Sequence, residues 1–414
     1  MGEVKSIYTH SSTKYEVLEE LVRSKAQKFI QDILEEEVEE FLGRKKSERM
    51  EKGLSGVKGY RNGYAKERKF SLMSGTISVR RPRVRNTEER FLSKVLPLFK
   101  RQTKDVKDLI PELYLHGLAQ RDFELALRGL LGEAAPLSVA SIQRLKAKWE
   151  VEYDAWNKRD LSGMKMTYQW ADGLYVKAGL EKEKAALLVI IGATTDGEKE
   201  FLAVESGYRE SKESWLNILR DLKSRGLEWG KLTIADGHLG LWAALTQLYP
   251  RSDEQRCWNH KISNVMDALP KKARPMASEI LSQIPYADTK VECERRRDGF
   301  ISQYQNEYPK ACEKLQRDWE RMVTFYSYPK EHWVHLRTTN IVESPFHSVR
   351  LRTDAAKRYK KVQSATAMIW KLLMVAQKRF NRLKAYGLLE DVYQGRKCID
   401  GIFITEINQK REAA

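Results

Sequence analysis

Two stretches of the sequence, MTYQWADGLYV and KLTIADGHLGL, carry the same tripeptide, Ala-Asp-Gly, and set Asp172 and Asp236 against runs that read as β-strands. Aspartate forms strands poorly and is expensive to bury, so a carboxylate at such a place needs something to offset its charge. If the two strands are neighbours, the side chains converge at one end of a sheet, where open α/β sheets place their ligands. Two bare carboxylates brought together repel and raise a pKa unless a cation neutralises them. Mg²⁺ suits that role, because it takes oxygen ligands, keeps several waters and fills its remaining positions from phosphate. A pair of such ions clamps the attacking and leaving oxygens of an in-line phosphoryl displacement. A third carboxylate is then wanted, and RTTNIVESPFHSVRLR offers Glu343 in the first turn of a helix, with Arg350 and Arg352 further along. Each residue also has a plainer reading: Asp-Gly is a common turn dipeptide, an aspartate can cap a helix, and Glu343 can be a surface helix residue.

The elements that must position these groups are legible from periodicity. MTYQWADGLYVKAG, KAALLVIIGATTD and KEFLAVESGYRE are successive strand-like runs, SKESWLNILRDLKSRG is an amphipathic helix ending at Gly226, KLTIADG is a strand, HLGLWAALTQLYP a helix and DEQRCWNHK a further strand. Three strands, helix, strand, helix, strand makes an α/β sheet. From Ile262 to Arg337 the pattern is helical and charged, and helices resume beyond it. Upstream, AQKFIQDILEEEVEEFLGRKK places Phe29, Ile30, Ile33, Leu34, Val38 and Leu42 on one side of a helix, a stripe for a partner helix, a sister chain or the chain's own core.

The 414 residues carry 74 Lys and Arg against 57 Asp and Glu, a formal net charge of +17 that points to a polyanionic partner, nucleic acid first. The longest apolar run, AALLVIIGA, is far short of the roughly 20 residues that a spanning helix needs, and the N-terminus lacks the charged-then-apolar pattern of a secretion signal. Four cysteines without a C-x-x-C pair fit a reducing compartment, the cytoplasm. The basic charge is concentrated. VKGYRNGYAKERKFSLMSGTISVRRPRVRN, with Arg61, Arg80, Arg81 and Arg83, reads as a basic hairpin containing one short alternating strand, TISVRRPRV, for gripping phosphates. A capped basic helix after GEAAPLS presents Ser141, Gln143, Arg144, Lys146 and Lys148 while Val139, Ile142, Leu145 and Trp149 turn inward, the layout of a recognition helix for a major groove.

The order Asp172, Asp236, CWNH and RTTNIVES…RLRT closely resembles the IS256 family of bacterial insertion-sequence transposases, related to the eukaryotic Mutator-like group, and the resemblance extends upstream through GYRNGY and GTISVRRPR. It implies an α/β RNase H-like catalytic core with an inserted all-helical region, preceded by mainly helical DNA-binding domains. The implied layout is a dimerising or DNA-binding region with the basic hairpin over 1–100, a helix-turn-helix-like domain over 101–160 and core segments over 161–261 and 338–388. The helical insertion then covers 262–337 and a tail 389–414. Asp172, Asp236 and Glu343 would bind two Mg²⁺ or Mn²⁺ ions, and the protein would cut and join double-stranded DNA at the terminal inverted repeats of its own element and at a target. Handling two ends implies a homodimer or larger assembly, associated with the bacterial nucleoid and not with a membrane.

Cys257 and His260 in CWNH resemble the family's Cys/Asp-x-x-His signature. Both can ligate zinc, but two ligands do not close a tetrahedral site, so a structural role or one bordering the active site, with His260 near the scissile phosphate, is expected. His238 could touch phosphate or simply start a helix. Arg337, Arg350, Arg352, Lys357, Arg358, Lys360 and Lys361 would line the DNA track, affecting affinity more than sequence choice. A nuclease that hydrolyses without joining, and an inactive DNA-binding regulator, are the alternative functions.

Overall fold

A computed structural model describes residues 14–48, 59–96, 101–115, 118, 123–131, 139–177, 185–207, 210–356, 359, 361–405 and 407, and the chain divides into two units, Met1–Leu145 and Lys146–Ala414.

In the first unit, helix α1 (Lys14–Leu42) lays Leu34 against Ile77, Val79 and Leu96, with Ile30 packed alongside, and Val38 and Leu42 are buried as well. The apolar stripe therefore serves the chain's own core, except at Phe29, which is 65 % exposed. The basic region is not one hairpin. Strand β1 (Tyr60–Tyr64) pairs with β4 (Pro82–Arg85), and β2 (Arg68–Leu72) pairs with β3 (Gly75–Val79). The run expected as a single strand breaks at Arg80 because the Gln31 side chain of α1 takes that residue's backbone: Arg80 N donates to Gln31 Oε1 at 3.0 Å and Gln31 Nε2 donates to Arg80 O at 2.8 Å. Helices α2 (Lys104–Leu115), α3 (Phe123–Leu131) and α4 (Val139–Asn157) follow. The division between units falls inside α4.

The second unit is built on a mixed five-stranded sheet. Strands β5 (Met166–Val176), β6 (Ala185–Thr194) and β7 (Lys199–Gly207) form an antiparallel meander. Helix α5 (Lys212–Ser224) leads to β8 (Leu232–Ala235), and α6 (Leu239–Leu248) to β9 (Asp253–Arg256). The strand order is β7-β6-β5-β8-β9, with β8 parallel to β5 and β9 parallel to β8. β6 is apolar on both faces because both are covered. On one side Leu188, Ile190 and Leu202 share a core with Trp215, Leu219 and Leu222 of α5 and Leu241 and Leu245 of α6. On the other, Tyr168 packs edge-on to Tyr328 and His332, and its hydroxyl bonds His332 Nδ1 at 2.8 Å.

Between the sheet and the Glu343 helix the chain is helical: α7 (Trp258–Met266), α8 (Arg274–Gln283), α9 (Lys290–Tyr304), α10 (Pro309–Gln316), α11 (Trp319–Val323) and α12 (Trp333–Leu336). This excursion leaves and returns at one point. Thr339 N and Oγ1 lie 3.3 and 3.2 Å from Cys257 Sγ, and Trp258 N donates to Arg337 O at 2.9 Å. Helices α13 (Asn340–Ala356) and α14 (Val362–Gln377) follow. Further on, α15 (Leu389–Tyr393) precedes a hairpin of β10 (Cys398–Ile399) and β11 (Ile402–Phe403), which Gly401 ties to Tyr326 and Lys330 through backbone bonds of 3.0 and 3.1 Å. All four cysteines are buried, and none is in a disulfide.

Candidate active site

The sheet register brings the two aspartates together. β5 and β8 run parallel with Ala171 opposite Ala235, so Asp172 and Asp236 are the next residue on each of two adjacent strands. Both are half-buried. The glycines after them differ in purpose. Gly173 continues β5; a Cβ there would stand 2.2 Å from Glu210 Oε1, so its bare backbone admits that carboxylate. Gly237 has φ +103°, where side chains are strained, and a Cβ would stand 2.2 Å from Arg256 Nε, which donates to Asp236 O at 3.1 Å. Asp236 Oδ1 accepts from His238 N at 2.8 Å, the local turn that ends β8 and opens α6. Burial pushes the Asp172 carboxyl up to about 7, the Gly173 N–H at 2.8 Å opposes this, and the negative charges of Asp236 and Glu343 add to the rise.

Glu343 arrives in the first turn of α13 and is held by Thr339, one turn earlier, whose hydroxyl donates to Glu343 Oε1. The same hydroxyl faces Cys257 Sγ, and its single proton serves one acceptor at a time. His260 Nδ1 lies 3.8 Å from Glu343 Oε1. Its imidazole is raised to about 9, chiefly by the hydrogen bond with Cys257 and then by the charges of Cys257, Glu343 and Asp172, against the desolvation that lowers it. Among the described residues, the acidic and metal-ligating side chains whose ligand atoms all come within 4.8 Å of one another are Cys257, His260 and Glu343. The two aspartates are not in that close group: Glu343 is near enough to Asp172 for its charge to act there, but its carboxylate is turned onto Thr339 and His260. His238 caps α6, its Nδ1 accepting from Gly240 N at 3.3 Å.

Four residues at the site were not flagged by spacing. Thr339 orients Glu343, and Arg256 braces the β8 turn while its Nη1 pairs with Asp318 Oδ2 at 2.8 Å. Glu210, 7 % exposed, shares a hydrogen bond with the Tyr175 hydroxyl; burial raises its carboxyl and the bond lowers it, while the Tyr175 phenol is pushed up to about 12, first by burial and then by Glu210. The signal that could have found Glu210 is the glycine at position 173: a glycine inside a strand marks close approach of another group.

The candidates for DNA contact differ in exposure. Arg83, Gln143, Arg144, Lys148, Arg350 and Lys361 are exposed, as is Arg80, which stands 3.6 Å from Glu67; Arg81 and Lys146 are half-buried. Lys148 pairs with Glu152 at 3.4 Å. Three of the candidates make contacts within the fold. Arg61 is held by Glu35 and Glu39 of α1 at 2.6 and 3.4 Å, which neutralises it within the fold. Arg337 is half-buried over the rings of Tyr286, Phe325 and Trp333, a cation–π box that uses its charge internally. Arg352 is 2 % exposed on the packed face of α13. The Ser141 side chain, Lys357, Arg358 and Lys360 lie outside the described residues.

With an acidic strand-end pair, a helix-borne glutamate and a basic surface in place, comparison with known proteins gives the class. The chain belongs to the Mutator family of transposases, which matches residues 2–382. It is similar to the transposase of insertion sequence element IS6120 of Mycolicibacterium smegmatis, 43 % identical over 290 residues that cover 70 % of this chain and 90 % of that one. It matches the transposase of IST2 of Acidithiobacillus ferrooxidans equally well, 43 % over 67 % of this chain and 94 % of the relative. The transposase of IS256 in transposon Tn4001 of Staphylococcus aureus is 28 % identical over 90 % of this chain and 94 % of its own. The protein is an insertion-sequence transposase, an enzyme that cleaves DNA and transfers strands, and the family uses a divalent metal. No helix among the described residues is long and apolar enough to cross a membrane.

Proposed function

We propose that Asp172, Asp236 and Glu343 are the metal-holding carboxylates of an RNase H-like site that cuts and joins DNA at the inverted-repeat ends of the protein's own element. The observation that carries this reading is the register of β5 and β8, which puts the two aspartates side by side at one sheet end within reach of the charge of Glu343. The donor set fits Mg²⁺ or Mn²⁺: three carboxylates offer only hard oxygen ligands, and the charges of Asp236 and Glu343 reach Asp172, adding to the burial that raises its carboxyl. When bound, two such ions would activate the attacking oxygen and stabilise the leaving one.

The chain's own groups have separable duties. Asp172 sits on β5 and Asp236 directly after β8, and together they form the base of the site, whereas Glu343, on a helix and bonded to Thr339, is the ligand that must turn from Thr339 and His260 toward the aspartates. His260, held protonated, supplies a positive donor at the edge of the site for a phosphate oxygen. Arg83, Arg350, Gln143 and Arg144 are exposed and would meet the DNA backbone or groove. The unit ending at Leu145 takes the DNA-binding and dimerising role, because two ends must be held at once.

The test supplies a labelled terminal-repeat oligonucleotide and a target duplex with Mg²⁺. Strand-transfer products that vanish in Asp236→Ala support the proposal. Cleavage without joining would make the protein a nuclease, and products that persist in the variant would remove Asp236 from the site.

A further inference from the structure

The turn that carries Asp236 is held by the helical excursion as well as by the sheet. Asp236 is fixed at two atoms: Oδ1 accepts from His238 N at 2.8 Å, and the backbone carbonyl accepts from Arg256 Nε at 3.1 Å. Gly237 leaves the room that the Arg256 side chain fills, since a Cβ there would meet Nε at 2.2 Å and Cζ at 2.7 Å. Arg256 reaches past this turn to the excursion, where its Nη1 pairs with Asp318 Oδ2 at 2.8 Å, the two side chains being 12 % and 23 % exposed. Asp318 stands at the start of α11, where an aspartate ordinarily caps the helix. Here its side chain makes no cap bond, its backbone is left-handed with φ +59°, and its carboxylate goes to Arg256 instead. The surroundings hold it there. Lys261, buried, donates from Nζ to the carbonyls of Lys314 and Arg317 just before it, and Arg321 Nη1 lies 3.7 Å from Asp318 Oδ1. Beyond it, Gln255 Nε2 of β9 donates to Met322 O at 3.1 Å, and Thr324 Oγ1 donates to Glu254 O at 2.8 Å.

We propose that Asp318 and Arg256 are positioning residues of the catalytic centre: their ion pair locks Arg256 onto the Asp236 carbonyl and so fixes the turn from which the Asp236 carboxylate meets its divalent ion. This rests on the assignment of Asp236 as a metal-holding carboxylate. A guanidinium is a rigid planar fork that donates in two directions at once, and here one N–H takes the aspartate turn while another takes the excursion. Asp318, 82 positions from Asp236 in the chain, thereby becomes part of the scaffold of the site. Partners that orient a metal ligand typically carry about 10–100-fold in affinity.

The experiment titrates Mn²⁺ alone into the full-length protein and counts free ion by electron paramagnetic resonance, with thermal melting of each variant run in parallel. Arg256→Gln and Asp318→Asn are each expected to weaken Mn²⁺ about 10-fold. Acting through space alone, the two substitutions would move affinity in opposite directions, because one removes a positive charge and the other a negative charge. A fall in both marks the shared contact. The double variant is expected to lie within about 2-fold of the weaker single one, since the contact is broken only once. Thr324→Val removes the bond from Thr324 to Glu254 O without touching Arg256, and is expected to lower the melting temperature while leaving Mn²⁺ affinity within about 2-fold. Mn²⁺ binding that tightens in Arg256→Gln or is unchanged in Asp318→Asn, while lost in Asp236→Ala, would overturn the positioning role and leave the metal site standing. An equal fall in Thr324→Val would overturn it in favour of general loosening. Binding unchanged in Asp236→Ala would overturn both the role and the assignment beneath it.

Discussion

The two Ala-Asp-Gly stretches share a tripeptide and almost nothing else. At the first, β5 runs straight through to Val176, the glycine has ordinary extended backbone, and its missing side chain is replaced by the Glu210 carboxylate. At the second, β8 stops at Ala235, the glycine turns the chain with φ +103°, and a cation, Arg256, fills the gap. One aspartate is therefore backed by a negative group and the other by a positive one. A short identical string thus sets where a carboxylate lies on a sheet, while the company it keeps comes from residues tens of positions away.

The sharpest way to test that pairing is to remove the carboxylates. Asp236→Ala and Asp172→Ala should each cut strand transfer by at least about 10³-fold, roughly 4 kcal/mol of transition-state stabilisation, measured with terminal-repeat oligonucleotides at saturating Mg²⁺; a residual activity near wild type in either one would break the symmetry of the pair. Next come the glycines. Gly237→Ala meets both positive φ and the middle of the Arg256 side chain, and should cost about 1–3 kcal/mol in denaturant unfolding. Gly173→Ala meets only the side chain of a flexible glutamate, and should cost less than about 1 kcal/mol. A larger loss at Gly173 would reverse the distinction.

The pH dependence separates the aspartates again. Asp172 binds its proton up to about 7 in the folded protein and only to the ordinary carboxyl range when unfolded. Its contribution to the metal-free protein is therefore fully present at low pH and lost as pH rises toward 7, at up to about 1.4 kcal/mol per pH unit. Asp172→Asn should accordingly be more stable than wild type at pH 8 without metal, and the advantage should vanish near pH 4 and on adding Mn²⁺ to both, as followed by thermal melting. The smallest effect is expected from the cations. Arg83→Ala should lower the slope of log affinity against log salt by about 0.9 for duplex DNA, whereas Arg61→Ala should leave that slope alone and lower stability, because its charge is spent on Glu35 and Glu39.

These contrasts also mark how far residue order could be read. The strands bearing Asp172 and Asp236 were legible because their flanking runs are apolar and bounded by turns, and the helix of Glu343 because Asn340 opens a continuous helical pattern. Glu210 was not, since a glutamate before a serine at a helix start reads as a solvated loop until the fold brings Gly173 to it. Arg61 looked like a phosphate clamp because its partners lie 22 and 26 residues earlier on another element. Arg352 follows Arg350 by two positions on a helix, which rotates it by more than half a turn from an exposed face to a packed one. The basic run split into two ladders because one glutamine of α1 outcompetes a neighbouring strand for the backbone of Arg80.

The bond between Thr339 and Cys257 spans 82 positions of chain at a separation of 3.2 Å. Departing and homecoming strands of backbone are stitched at a single waist, so closing that span adds little geometric demand whatever its size, and the entropy of closure grows only with the logarithm of length. The stretch from Met322 to His332 packs back on the sheet through Gln255 and Tyr168, so only the helices between that stretch and the waist can change length without uncovering the sheet.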